Sequence, residues 1–433
     1  MVSLKMNLIQ RTIMSHSKSL IDKSFYPWLV WSLTVLFFFY KYLLQFSTNV
    51  MATDLMGAFN LSGAGLGNLA ACFYYTYMLM QLPVGILLDK YSPQKMVALA
   101  ILLCAVGAYI FSHATSLWVA SVSRAMIGLG ASFAPVACLK FASVWFPPRR
   151  FALIAGLSMT FALTGAANAG YPLSKLVSWF GWRDTLTYLA IPGIILAFLF
   201  LLLVRPKPNL HTQQEEYSVL KGLKEVLTDK QTVLLSIYSG LAYAPFSMMV
   251  GLWGVPFLTT AHHLTPTNAA AKASLIIAGF AIGAPILGWI SDYLGRRKIM
   301  IYFGTLLALT TISWIIYFPV GSEQLLNILM FGFGVGISGF LLCFSMVREV
   351  NRLVLAGTAL GFMNMFDSLG EAISEPLIGK LLDLGWTGEL AENGARLFSI
   401  HDYQVALSLL PIYFIVAFIC LIFVKETHGT QKM

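Results

Sequence analysis

The chain has 433 residues, 58% hydrophobic and only 11% charged, with a mean hydropathy of +0.75. Soluble domains carry about 25% charged residues, so most of this chain must face lipid or a packed membrane interior. Its net charge of +9 does not indicate nucleic acid, because the basic residues punctuate apolar runs instead of gathering on one soluble face.

Residues 1–25 form a polar, basic tail (Lys5, Arg11, Lys18, Lys23), and no cleavable signal peptide is expected. Apolar runs then predict helices at 27–50, 65–88, 96–112, 117–140, 152–174 and 185–204, a first bundle over 26–204. The longest polar stretch, 205–232, separates the halves. Within it, the spacing of Val219, Leu220, Leu223, Val226 and Leu227 predicts a short amphipathic helix on the membrane surface. Six more helices are predicted at 233–258, 270–291, 298–317, 324–346, 355–382 and 404–424, a second bundle over 233–424, followed by a tail at 425–433. The expected fold is all-α and integral to the membrane, with twelve transmembrane helices.

Most of the 28 Lys and Arg fall on the side that carries both termini. The opposite side receives Lys175, Arg183, Lys272 and Arg396, with Lys380 a further candidate. This bias predicts cytoplasmic termini. Cys72, Cys104, Cys138, Cys343 and Cys420 all lie in apolar runs without metal-ligand spacing, so they read as small core residues. Glycines at helix-packing spacing, such as Gly128 and Gly130 in helix 4 and Gly361, Gly370 and Gly379 in helix 11, predict close helix contacts.

One stretch occurs twice. Gly85-Ile86-Leu87-Leu88-Asp89-Lys90-Tyr91-Ser92-Pro93-Gln94-Lys95 ends one apolar run, and Gly288-Trp289-Ile290-Ser291-Asp292-Tyr293-Leu294-Gly295-Arg296-Arg297-Lys298 ends another in the second half. Two copies imply an internal duplication, the usual way to build two halves around a central site. The pattern resembles the signature loop of major facilitator superfamily transporters, found there between helices 2 and 3 and again between helices 8 and 9. The resemblance covers the chain after residue 25 and implies two six-helix bundles related by a pseudo-two-fold axis. It also implies that Asp89, Lys90 and Lys95, with Asp292, Arg296 and Arg297, form a conformational switch. The first copy departs from the family pattern at Ser92-Pro93-Gln94, which implies a stiffer, less basic loop.

Ionisable groups inside a membrane cost about 2.5–3.5 kcal/mol each on insertion scales, which makes them functional candidates. Lys41 lies deep in helix 1, beside Tyr42 and near Gln45. Arg124 opens Arg124-x-x-x-Gly128-x-Gly130, which resembles the superfamily's fourth-helix motif and implies proton coupling or substrate contact. The alternative is an arginine tied to a neighbouring backbone carbonyl. For Lys41 the alternative is an internal pair with Glu371. Asp367, Glu371 and Glu375 are spaced i, i+4 and i+8 and so line one face of helix 11. They are the proton-coupling candidates, led by Glu371, with Glu375 read as a gate or structural ion pair. Tyr74, Tyr77, Asn168, Tyr238, Tyr243 and Asn364 complete the candidate substrate-binding set.

Neither a Walker A run nor a metal-binding or hydrolase motif occurs, so an enzyme, a cofactor and a metal are not expected. The runs Tyr74…Tyr77…Gln81-Leu82-Pro83-Val84-Gly85, Trp145-Phe146-Pro147-Pro148 and Gly181-Trp182-Arg183 resemble bacterial carriers of organic anions such as sugar acids. The fifth helix lacks the Gly-Pro pair of many drug–proton antiporters of the superfamily. The expected function is a monomeric secondary transporter of the bacterial inner membrane, importing a small carboxylate-bearing solute (organic acid, sugar acid, amino acid or peptide) with protons. The alternatives are a drug or metabolite exporter and a non-transporting receptor.

Overall fold

The computed structural model describes residues 25–205, 219–352 and 355–429. The described residues are helical apart from loops and one isolated bridge between Leu390 and Arg396. The first half consists of α1 (Tyr26–Phe59), α2 (Gly63–Lys90), α3 (Pro93–Ser112), α4 (Leu117–Trp145), α5 (Pro148–Asn168) and α6 (Tyr171–Leu203). The second consists of α7 (Lys230–Leu252), α8 (Pro266–Leu294), α9 (Arg297–Tyr317), α10 (Glu323–Val350), α11 (Ala356–Gly385) and α12 (Ile400–Phe423). Ten segments are long and apolar enough to cross a membrane, and one of them joins α5 to α6. α11 falls outside that set, and its interior carries Asp367, Glu371, Glu375, Lys380 and Asp383. The predicted amphipathic linker helix is present at Val219–Thr228.

Local chemistry sets the ends. Ser62, Ser116, Thr265 and Ser322 accept hydrogen bonds from backbone N–H groups in the first turns of α2, α4, α8 and α10. Gly295 ends α8 in the left-handed region, at φ +61°. Arg183 donates to the carbonyls of Ser112 and Ala114, each at 2.8 Å, and so closes the end of α3.

The observed α5–α6 boundary differs from the expected one. Helix 5 was expected to run to 174, but it stops at Asn168, and Pro172 starts the next helix. An apolar run does not reveal a break that both flanking helices share. α6 then bends at Gly181, whose φ of +74° and ψ of 164° only glycine adopts without strain.

Glycines hold each half together. A β-carbon at Gly128 on α4 would lie 2.0 Å from the Phe73 carbonyl oxygen on α2, and one at Gly165 on α5 would lie 2.2 Å from that of Phe39 on α1. The second half repeats both contacts. A β-carbon at Gly334 on α10 would lie 2.0 Å from the Ile276 oxygen on α8, and one at Gly370 on α11 would lie 2.7 Å from the Gly240 oxygen on α7. Such close approach is how helices associate where lipid supplies no hydrophobic drive.

Between the halves, contact is tight on the face opposite the termini. β-carbons at Gly63 and Gly67 on α2 would lie 2.5 Å and 2.3 Å from the Gly379 and Glu375 oxygens on α11. The Asp383 carboxylate accepts from the N–H groups of Gly63 (2.7 Å) and Ala64 (2.8 Å), capping α2 from the other half. α1 breaks into a 3₁₀ turn at Ser47–Met51 and α7 into a π turn at Met248–Leu252, and the two breaks interlock. Asn49 donates to the Val250 carbonyl at 2.7 Å and accepts from the Val255 N–H at 3.0 Å, while Thr48 donates to Gly251 at 3.1 Å. Toward the terminus-bearing face the contact loosens: a β-carbon at Gly361 would meet α2 no nearer than 3.7 Å, and one at Gly357 would meet nothing within 4 Å. The halves are closed on one face and part toward the other.

Candidate functional site

Between the halves, midway along the helices, lies a cavity with about 530 Å³ of empty space, counting the part of it that is open to solvent. From the first half it is lined by Lys41, Tyr42, Gln45, Tyr77, Met159 and Leu163. α11 contributes Asn364, Asp367, Ser368 and Glu371. α7, α8 and α10 contribute Tyr243, Phe246, Phe280, Phe340, Leu341 and Phe344.

Lys41 is only 3% exposed. Its ammonium lies 3.9 Å from the centre of the Tyr42 ring and 4.8 Å from that of Tyr77. Among the described residues no carboxylate stands within 4.0 Å of it, while Glu371 faces it across the same cavity and acts on it electrostatically. Across the cavity Glu371 accepts a long hydrogen bond, 3.4 Å, from the Gln45 amide, and the Ser247 and Tyr74 hydroxyls also act on its carboxylate. That amide also lies 3.4 Å from the Tyr74 hydroxyl, which bonds Ser247 at 3.1 Å. Asp367 accepts from the Ser239 hydroxyl at 2.5 Å, and Asn364 donates to Gln81 at 2.8 Å across the halves. A cation and two acids thus share one buried chamber with no direct ion pair between them.

The other sequence candidates stand elsewhere. Arg124 does not line the cavity. It is buried over the Phe73 ring and donates to the Leu44 carbonyl at 3.1 Å and the Gln45 carbonyl at 3.5 Å. Those carbonyls lose helical partners because α1 breaks at Ser47, which explains the arginine's position. Arg124→Ala is expected to destabilise the fold by about 1.5–3 kcal/mol, the usual range for a charged hydrogen bond; a lowered melting temperature in detergent checks it. Glu375 is buried behind the cavity wall, with one carboxylate oxygen lacking a hydrogen-bond partner. Tyr238 also stands apart, its hydroxyl 2.7 Å from that of Thr305 on α9. Asn168 donates to Thr164 on its own helix, at the end of α5. Neither reaches the cavity, because a polar residue in an apolar run can be satisfied by its own helix or by a neighbour in its own half.

The switch residues lie at the terminus-bearing ends. In the second copy Arg297 pairs with Asp292 and with Glu349, the latter at 3.2 Å, while Glu426 accepts the N–H groups of Arg297 (2.9 Å) and Lys298 (3.0 Å). All these contacts stay within one half. Arg296 makes no ion pair among the described residues. In the first copy Lys90 and Lys95 are exposed, and the Asp89 side chain lies outside the described residues. Among the described residues no group of His, Cys, Asp and Glu is arranged to hold a metal, and all five cysteines are free.

Two halves that repeat each other's packing around a central chamber agree with what family comparison finds. The model of the Major Facilitator Superfamily matches residues 30–375 and, separately, 235–431. The chain belongs to the Major Facilitator Superfamily. It is therefore a multi-pass membrane protein of a transporter family. Curated relatives include the membrane sensor protein UhpC of Salmonella typhimurium, 23% identical over 84% of this chain and 86% of that protein. They also include the probable galactarate/D-glucarate transporter GudP of Bacillus subtilis, 25% identical over 78% and 81%. Among solved structures, a bacterial homolog to the human lysosomal transporter Spinster, in an inward-facing and unoccupied conformation, superposes with a TM-score of 0.76. That match is 16% identical and covers 93% of this chain and 96% of the other. The nucleoside transporter NupG gives 0.69 at 14% identity, covering 91% and 98%.

Ser239, Ser247 and Asp383 were not singled out by sequence, and neither was the phenylalanine wall. The serines and phenylalanines match many others facing lipid or packing within a half. Asp383 carried a signal, an acid near the end of the charged stripe of α11.

Proposed function

We propose that this transporter imports a small carboxylate-bearing solute together with protons, working as a monomer by alternating access in the bacterial inner membrane with both termini cytoplasmic. The observation that carries this reading is Lys41: a buried ammonium in the central cavity, held by ring faces and with no carboxylate in direct contact. A desolvated cation with no anion in contact is costly unless a ligand supplies one. Glu371, opposite it, is the group proposed to carry the proton. Asp367 shares its stripe. The glycine contacts repeated within each half support the division into bundles at 26–204 and 233–424, and the Lys/Arg bias supports the orientation. The polar loops bearing Asp292 and Arg297 serve as the switch that must rearrange when the halves rock.

The likeness to a probable galactarate/D-glucarate transporter supports an organic acid as solute. The likeness to the sensor UhpC supports a second reading, a receptor that binds without moving its ligand. A thermal-shift screen of purified protein with sugar acids, di- and tricarboxylates, amino acids, dipeptides and hydrophobic cations tests the solute class. A ligand that binds only the folded state raises the melting temperature with concentration. Stabilisation by carboxylates that Lys41→Ala abolishes supports the proposal; stabilisation by hydrophobic cations alone contradicts it. Uptake into proteoliposomes separates carrier from receptor.

A further inference from the structure

The cavity is chemically divided. Every charged lining residue comes from α1 or α11, and Lys41 is the one cation among them. The facing wall, from α7, α8 and α10, is built of rings. Tyr243 stacks on Phe246 (centroids 5.5 Å, 26°) and on Phe340 (5.1 Å, 29°). Phe280 tilts against Phe246 at 5.2 Å and against Phe340 at 6.0 Å. Rings that brace one another this way are fixed in orientation, so the wall is a preformed apolar surface, not a set of side chains free to turn aside.

We infer that the solute is a monocarboxylate with an apolar body about the size of an aromatic ring, and that Phe246, Phe280 and Phe340 are the residues that select for it. This rests on the carboxylate reading above and narrows it. A polyhydroxy acid could pair some hydroxyls with Gln45, Asn364 or Ser368, but those it turns to Phe246, Phe280 and Phe340 would meet rings that offer no hydrogen bond, and each desolvated, unpaired hydroxyl weakens binding. A second carboxylate would find no second cation; it would meet either the rings or the acids of α11. Sugar diacids, the named solutes of the GudP relative, are therefore poor ligands here. An apolar ring gains both burial and stacking against the wall. Discrimination of this kind, where polar groups are left unpaired, exceeds what a change in apolar size alone achieves.

The test is calorimetric binding to the purified full chain with 3-phenylpropanoate, L-phenylalanine, propanoate, D-glucarate and tetraphenylphosphonium. The expected result is that one or both aryl carboxylates bind at least about tenfold tighter than propanoate and glucarate, consistent with the usual worth of an aromatic contact plus ring burial. L-Phenylalanine binding without 3-phenylpropanoate supports the inference and adds an ammonium site opposite Lys41. In Phe280→Gln the ratio of aryl to glucarate affinity should fall about tenfold, because an amide removes the ring and offers hydroxyls a partner. Phe280→Leu, which keeps the wall apolar, should retain most of the ratio. Taking the ratio within each variant cancels any loss of folded protein. Glucarate binding as tightly as the aryl acids overturns the inference and leaves the carboxylate reading intact. Binding of tetraphenylphosphonium alone, or of none of these carboxylates, overturns both.

Discussion

Lys41→Ala is expected to abolish carboxylate binding and to lower the stability of the empty protein by a smaller margin. Truncating one partner of a buried, hydrogen-bonded charge pair costs about 2–5 kcal/mol of binding, roughly 30- to several thousand-fold in affinity. The solute's carboxylate would meet no replacement, because the other charged groups lining the cavity are acids. The unliganded protein should lose less than binding does, since the ammonium contacts ring faces, but Glu371 in the same chamber is left without its facing charge. Lys41→Arg is not a mild change, because a planar fork cannot occupy the point between the Tyr42 and Tyr77 rings as an ammonium does. Calorimetric titration and melting of the same samples check this. A large drop in melting temperature with binding intact would make Lys41 a structural residue.

The second large effect separates glycines that hold a half together from glycines that let the halves meet. Gly128→Leu places a side chain where the Phe73 carbonyl oxygen already lies 2.0 Å from a β-carbon, inside one bundle, so folded protein should largely disappear. Gly67→Leu makes an equally impossible contact, 2.3 Å from the Glu375 oxygen, but across the halves. Each bundle can still fold; the closed arrangement cannot form. The population moves to conformers open on the face opposite the termini, and a bias of about 1–3 kcal/mol already changes it by about 5- to 150-fold. A cysteine at Thr48, which is buried against Gly251 in the closed interface, reports the change in a background freed of native cysteines. An impermeant maleimide should label it quickly in Gly67→Leu and slowly without that substitution. Equal labelling would mean that α2 and α11 do not form the closing contact.

Asp383 predicts a smaller shift of the same kind. Asp383→Ala removes two charge-assisted hydrogen bonds to the start of α2 and the partner of Arg396. Thr48→Cys labelling should again rise, by less than with Gly67→Leu, since water can satisfy part of the exposed helix terminus.

The architecture was legible because a membrane forces helices of known length, and because duplication printed the Gly-x-x-x-Asp turn twice. Lys41, Asp367 and Glu371 stood out because charge in an apolar run is rare. Pattern alone could not separate an arginine facing a cavity from one tied to a broken helix. Arg124 is the second kind because α1 breaks after Phe46, and Ser47-Thr48-Asn49 resembles many uninterrupted stretches. Phe246, Phe280, Phe340 and Phe344 were invisible for a related reason. In a chain with 31 phenylalanines, only the packing of α7, α8 and α10 tells which rings turn inward. The Gly181 bend falls in the stretch 175–184 that the apolar pattern leaves between helices 5 and 6, where Lys175, Arg183 and Asp184 interrupt it.

Proton movement tests the central claim most directly. Purified protein is reconstituted with a pH-sensitive dye inside the vesicles, and the carboxylate that most stabilises the protein is added outside without an imposed gradient. The account predicts that the interior acidifies as the solute enters. In Glu371→Gln acidification disappears, while exchange of labelled for unlabelled solute continues. Solute entry with no change of interior pH, or unchanged acidification in Glu371→Gln, would contradict it.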